Sequence, residues 1–468
     1  MGPVFPVKHE SFFDGLSGAH TSGMPPMTCS AEHATGPSPA AFAVDRHITR
    51  LEMAACVCGA LIVRTDRVAP ERHNRRSPRL TPWEDRHEPR RSAIPGPSPR
   101  RDGPVKVGFD ATPLLGPRTG IGTYTERLID ALVRVGPPDL DLVATPFSRR
   151  GTDPLVEQLP PSVGVAGRRL PARLLRHLWT RTAWPPVEML SGPIDVFHGT
   201  NFVAPPTRHA RLVVTVHDLA YLHLPEAVDA ASLAYRELVP AALSRGATVC
   251  AVSETMRGAI VEAYALPAER VYVTPLGVDE SWYAARRLEA SDRLALPKEF
   301  VVAVGTLEPR KNLRVLLDAY RLASARRADV PPLVLVGAQG WGEALDTSGL
   351  PEPLLVRTGH LPLPLLQQVV ASAALLAFPS RYEGFGLPPL EALAAGTPVI
   401  AADLAVTREV LGDQARFADP NSADAVLEGL LRSLVSPAGT RDSRRERART
   451  FTWERCAEAT LHAYRVAA

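Results

Sequence analysis

Lysine is nearly missing from this 468-residue chain. Lys8, Lys106, Lys298 and Lys311 are the only ones, although Lys and Arg together number 53. Positive charge is written as arginine, and with 46 prolines and abundant alanine this points to a GC-rich genome. Cysteine is sparse too: Cys29, Cys56, Cys58, Cys250 and Cys456. An odd, scattered set argues against a disulfide scaffold. Cys56 and Cys58 lack partners at zinc spacing, so no metal site is expected. No apolar run reaches the ~20 residues that a membrane-spanning helix needs. The stretch 54–63 is too short for that and too far from the start for a signal peptide. A cytoplasmic location is the default expectation. A net charge of +3 gives no ground for a nucleic-acid partner.

Residues 1–103 differ from the rest. They carry Pro, Ser, Gly and Arg clusters such as RHNRRSPR and PGPSPRR, without helical or strand periodicity. This extension is expected to be mostly disordered. A basic tail can bind nucleic acid or anionic lipid, but a solvated tail or a misassigned start is the favoured reading.

From residue 104 the pattern becomes α/β. VKVGFDAT is a short strand ending at Asp110, and a loop leads into a helix whose Leu128, Ala131, Leu132 and Val135 share one face. Short strands recur at 140–144, 196–198, 212–216 and 249–252. A second series, FVVAVG, LVLVG, LLVRTG, LLAFPS and PVIAA, starts at Phe300. Helices are expected between its strands at 313–325, 363–371, 388–395 and 422–434. Alternation of this kind makes parallel sheets covered on both faces. The expected plan is two doubly wound Rossmann-like domains, 104–283 and 299–451, facing a central cleft. A linker at 284–298 joins them, and a final helix, 452–468, crosses back toward the first. Ligands of such sheets bind beyond the strand C-termini.

The most informative stretch is FPSRYEGFGLPPLEALAAGTPVIA, residues 378–401. It reads as a buried strand, a glycine-broken loop, a helix started by Pro388 or Pro389, and a second strand. No usual N-cap side chain precedes the prolines. The amides of Gly384, Phe385, Gly386 and Leu387 are therefore free to form an anion site at the positive end of a helix. Glu383 and Glu391 flank that nest. The group suits a nucleoside diphosphate sugar: amides for phosphate, carboxylates for sugar and ribose hydroxyls. The plain alternative is a helix N-terminus with acidic residues complementing its dipole.

EGFGLPPLE resembles the E-x7-E signature of retaining glycosyltransferases of family 4, which have the GT-B fold. The resemblance runs from about Lys106 to the C-terminus. Within it, GTLEPRKN, from Gly305 to Asn312, resembles a mannosyltransferase-like branch, and it implies Arg310 and Lys311 beside the donor diphosphate. Fixed cations there stabilise charge gathering on the leaving group. Relatives often carry arginine where this chain has Thr306, so Arg310 is expected to substitute. TVHDLAY puts His217 just past a strand, and the resemblance implies a place beside the donor sugar and its phosphate. Gly120 and Gly122 belong to a loop that borders the donor in similar enzymes; as a dinucleotide fingerprint the loop is incomplete. His198 and Asn201 of FHGTNF are expected on the acceptor side. Gly277 is expected to enter the hinge and meet the donor, and the 357–362 loop to hold the base. Ser253 of VSETM is read as a helix cap.

The segment from Arg168 to Arg181 spaces Leu174, Leu175, Leu178 and Trp179 along one side, among arginines. A basic amphipathic helix can lie on anionic lipid at the inner face of the membrane. A helix covering the first sheet shows the same pattern and is favoured.

Together these features imply transfer of a sugar from a nucleotide-sugar co-substrate, with GDP-mannose favoured over a UDP-sugar, to a glycan, lipid-linked or small-molecule acceptor. No divalent metal or other cofactor is expected. Three rivals stand beside this reading. A glycoside hydrolase needs two carboxylates across the scissile bond, and Glu383 and Glu391 are candidates. A sugar-nucleotide epimerase of GT-B fold and a non-catalytic nucleotide-sugar-binding protein are the others.

Overall fold

The structure, a computed structural model, describes residues 105–116, 119–149, 152–289, 296–350 and 354–467. All of them fall in one compact unit spanning residues 91–468. The N-terminal extension, residues 1–103, lies outside the described residues, as does 290–295 of the expected linker.

The first half is a seven-stranded sheet. Its strands are β1 (Val105–Asp110), β2 (Leu140–Thr145), β3 (Val163–Val165), β4 (Val196–Gly199), β5 (Arg211–Val216), β6 (Thr248–Ala251) and β7 (Val271–Val273). They run parallel in the order β3-β2-β1-β4-β5-β6-β7. The second half is a six-stranded parallel sheet in the order β10-β9-β8-β11-β12-β13. Its strands are β8 (Val301–Val304), β9 (Leu333–Val336), β10 (Leu355–Gly359), β11 (Leu375–Phe378), β12 (Val399–Ala402) and β13 (Arg416–Ala418). The two doubly wound halves are those the alternation of strand and helix implies.

The central strands LVLV, LLAF and VIAA are buried along their whole length. They lie between helix layers, so both pleat faces need apolar side chains and the sequence shows an unbroken apolar run. Strands β3, β7 and β13 were not expected. Each has three residues at or near a sheet edge, too short to display a period. LLVRTG was expected to be buried, but β10 is half-exposed. It is the edge of its sheet and pairs only with β9.

The last helix, Trp453–Ala467, lies on the first half, against helix Gly120–Val135 and strands β5, β6 and β7. Trp453 meets the Tyr124 ring at 6.3 Å. Segment 168–181 forms the helix Ala172–Arg181. Leu175 and Trp179 are buried in the first-half core, with Trp179 against Phe147, whereas Leu174 is 51% exposed. The helix thus covers the sheet with one side and turns Arg173, Leu174 and His177 outward.

Candidate active site

Strand β11 lies in the middle of the second sheet, between β8 and β12. Its C-terminus therefore opens at the centre of the strand ends, where the sheet reverses direction of winding. Pro379 to Gly386 leave this strand as a loop, and the helix Leu387–Ala395 follows. The helix starts one residue before the expected prolines. Gly386, at φ +96°, is its N-cap, and no side chain caps it. The positive φ explains the glycine.

The loop after β8 meets the β11 loop. Arg381 N–H donates to the Arg310 carbonyl at 2.9 Å, and the Arg310 guanidinium donates to the Tyr382 carbonyl at 3.1 Å. Asn312 donates from its side chain to the carbonyls of Pro379 and Pro420 at 3.0 and 2.7 Å. These bonds fix Glu383 between two cations. Its Oε1 lies 2.7 Å from Lys311 Nζ and its Oε2 3.0 Å from Arg310 Nη1. Glu383 is buried. Burial alone would raise its pKa, but Arg310 and Lys311 outweigh it and hold the carboxyl at about 2. Glu383 is therefore ionised at neutral pH.

Glu308 completes the cluster, and sequence reading missed it. It is buried and pairs with Arg310 Nη2 at 2.7 Å. Burial raises its pKa against the pull of Arg310 and Lys311. Arg310 is thus clamped between two carboxylates, while Lys311 faces Glu383 with its Nζ 5.0 Å from the centre of the Phe378 ring. The signal was in GTLEPRKN itself: an acidic residue two before an arginine that ends in a crowded loop. Gly305, at φ +145°, lies against the Lys311 side chain.

His217 comes from the first half, just after β5. Its Nε2 lies 2.8 Å from the Thr200 carbonyl. A carbonyl only accepts, so Nε2 carries the proton, and Nδ1 of the neutral ring is left as an acceptor. Burial lowers its pKa, against the Thr200 bond and Asp218, which favours that neutral form. Tyr124 and Phe202 hold the ring edge-on at 4.8 and 5.5 Å. Tyr124 stands two residues after Gly122 on helix Gly120–Val135, whose N-cap Thr119 accepts from Gly122 N–H. The glycine loop of the first half therefore adjoins His217. Across the cleft, Gly384 packs on the His217 carbonyl.

Glu391 is placed differently from Glu383. It takes a hydrogen bond from the Trp282 side chain, near Asp279. Burial pushes its pKa up to about 7, against the Trp282 bond and with the help of Asp279.

Two expectations are corrected. His198 was expected on the acceptor side but is fully buried in β4. Its Nδ1 meets the Tyr464 hydroxyl at 2.6 Å and its Nε2 the Thr215 hydroxyl at 2.7 Å, and Thr215 in turn meets the Tyr124 hydroxyl at 2.8 Å. Tyr464 of the C-terminal helix reaches His198 and makes it a core polar group. Gly277 was expected to meet the donor. A Cβ there would lie 2.2 Å from the Trp453 backbone nitrogen, so Gly277 admits the entry of the C-terminal helix.

Two Rossmann-like halves, with a carboxylate–cation cluster at the strand ends of one and a fixed histidine at those of the other, make a GT-B architecture with a charged cleft. The chain matches the "Glycosyltransferase Family 4" model over residues 118–282 and the "Glycosyl transferases group 1" model over residues 286–451. An O-antigen chain mannosyltransferase B of Escherichia coli is 31% identical over 77% of this chain and 100% of its own length. An MMP α-(1→4)-mannosyltransferase of Mycolicibacterium hassiacum is 30% identical over 46% of this chain and 52% of its own. Among solved structures, sucrose-phosphate synthase of Thermosynechococcus elongatus superposes with a TM-score of 0.62 at 20% identity, covering 77% of this chain and 98% of that one. Anabaena HepE in complex with UDP and glucose gives 0.56 at 19%, over 76% and 98%. The chain belongs to glycosyltransferase family 4 and is a hexosyltransferase.

Proposed function

We propose that the enzyme moves mannose from GDP-mannose to a glycan or lipid-linked acceptor with retention at the anomeric carbon. The observation that carries this reading is the ionised Glu383 held by Arg310 and Lys311. A diphosphate bears the charge to replace that carboxylate on Lys311. Glu383, released, then accepts hydrogen bonds from the hydroxyls of the transferred sugar. Lys311, Arg310 and the amides of residues 384–387 balance the charge that gathers on the departing diphosphate. His217 offers Nδ1, which accepts from a sugar hydroxyl. Glu391 takes the ribose hydroxyls. The bond from the anomeric carbon to the diphosphate oxygen breaks as the acceptor oxygen bonds on the same face. The acceptor proton passes to the leaving phosphate oxygen.

Mannose is favoured because the two relatives above are mannosyltransferases by name, one of them of an O-antigen chain. A cavity of about 400 Å³ adjoins the Glu383 loop, lined by Leu224 of the first half and Arg381, Asp403, Asp419 and Asn421 of the second. Leu404 and Pro420 complete its lining, and this mixed surface is of a size to take a saccharide acceptor. No metal is part of this reading, in which Lys311, Arg310 and the helix-start amides are the groups offered to the diphosphate. Among the described residues no helix is long and apolar enough to cross a membrane. The helix Ala172–Arg181 covers the sheet, and contact of its outward Arg173, Leu174 and His177 with anionic lipid stands only as the second reading of that segment. Thermal-shift titration with GDP-, UDP- and ADP-sugars tests the donor, and NMR of the product's anomeric proton tests retention. A shift with UDP-sugars alone overturns the donor reading. Equal turnover by Glu383→Ala overturns the site.

A further inference from the structure

The two halves meet at a second joint that the transfer chemistry does not use. Helix Glu254–Tyr264 of the first half is capped by Ser253, whose Oγ accepts from Met256 N–H at 3.1 Å. The same Oγ donates across the cleft to the Gly384 carbonyl at 2.8 Å. The next two amides of this helix also bond across the cleft. Glu254 N–H donates to Glu409 Oε1 at 2.8 Å, and Thr255 N–H to Glu409 Oε2 at 2.8 Å. The Thr255 hydroxyl adds a bond to Oε2 at 2.5 Å.

Glu409 stands on helix Ala405–Leu411 of the second half. Arg447 secures the end of that helix by donating to the carbonyls of Glu409 and Val410. A carboxylate on the free amides of a helix N-terminus is a strong arrangement, because charge and dipole add to the hydrogen bonds. Here the carboxylate comes from the other domain, 154 residues along the chain. One helix end therefore holds two things together: the second half, through Glu409, and the residue next to Glu383, through Ser253 and Gly384.

We propose that Glu409 is a positioning residue for the transfer reaction. Its carboxylate pins the Glu254–Tyr264 helix to the second half, so that Ser253 keeps the Gly384 carbonyl, and with it Glu383, in the reacting geometry. The proposal rests on Glu383 lying in the donor site. Glu409 itself touches no reacting atom. When the halves part, the Glu409 bonds and the Ser253 bond break together, so closure and the placement of Glu383 are one event. Donor recognition by the second half does not need the joint, whereas turnover does.

The test is Glu409→Gln, which keeps the shape but sets an amide NH2 against a donor. Turnover is expected to fall about tenfold or more, while the Kd for GDP-mannose stays within about threefold. Without substrate, amide exchange of residues 254–256 and 383–386 is expected to quicken. Thr255→Val removes only the hydroxyl bond and shifts the same readouts in the same direction by less. Wild-type turnover in Glu409→Gln overturns the proposal, as does slow turnover with unchanged exchange at 383–386. Glu383→Gln separates this outcome from the donor-site reading. Should that variant keep wild-type turnover, the donor-site reading fails, while the exchange measurement, made without donor, still decides the joint.

Discussion

Gly384 rests on the His217 carbonyl so closely that a Cβ on it would stand 1.6 Å from that oxygen. This is where the second half touches the first beside the site. The contact is backbone to backbone, so no side-chain rotation relieves it. Gly384→Ala is expected to force the halves apart by about an ångström and lower kcat/KM about a hundredfold. The cores of both sheets are untouched, so the unfolding midpoint moves little. Steady-state turnover and urea unfolding check both, and activity within about threefold of the parent refutes the closed geometry.

Arg310 and Lys311 are neighbours with unequal tasks. Arg310 is clamped by Glu308 and Glu383. Arg310→Ala leaves two buried carboxylates facing each other and is expected to cost about 3 kcal/mol of stability. Lys311→Met leaves Glu383 paired with Arg310 and removes the cation that the diphosphate would take over. It is expected to cost less stability than Arg310→Ala, because Glu383 keeps one cation, while turnover drops a hundredfold or more, about 3 kcal/mol of barrier. Urea unfolding and turnover on both variants check the split.

The sequence exposes the fold where burial is two-sided and the site where glycines and charge cluster. LVLV, LLAF and VIAA announce themselves as apolar runs, and EGFGLPPLE as a loop opening a helix. His198 and His217 are the instructive pair. Both follow or end a parallel strand, and both look like cleft residues from local pattern. What separates them is Tyr464, 266 residues from His198, brought over by the last helix. No local signal carries that. Glu308 lay inside a motif already singled out, but its burial against Arg310 depends on the β11 loop, 72 residues away from the arginine.

Glu391 makes stability depend on pH in an unusual direction. Its pKa is about 7 in the folded chain against an ordinary 4.5. Between these values the folded state keeps a proton that the unfolded chain has lost. Stability from this group is therefore present in acid and lost as pH rises toward 7. Since solvent reaches part of the side chain, we expect about 2 kcal/mol over that window. Glu391→Gln should flatten this component. Urea unfolding of parent and variant at pH 5 and pH 7 gives the difference, and equal pH slopes would dismiss the buried acid.

His198 acts in the opposite direction. Burial, with a smaller push from His217, lowers its pKa to about 3, against an ordinary 6.5. Below 6.5 the unfolded chain takes up a proton that the folded chain refuses, so stability falls as pH drops. From pH 6.5 to 5 this amounts to about 2 kcal/mol. His198→Gln keeps groups able to bond Tyr464 and Thr215 but does not titrate. It should lose less stability than the parent between those pH values. Because His198 sits in the core and not in the cleft, turnover of the folded variant at pH 7 should stay within about threefold of the parent. A collapse of turnover without loss of stability would return His198 to the acceptor side.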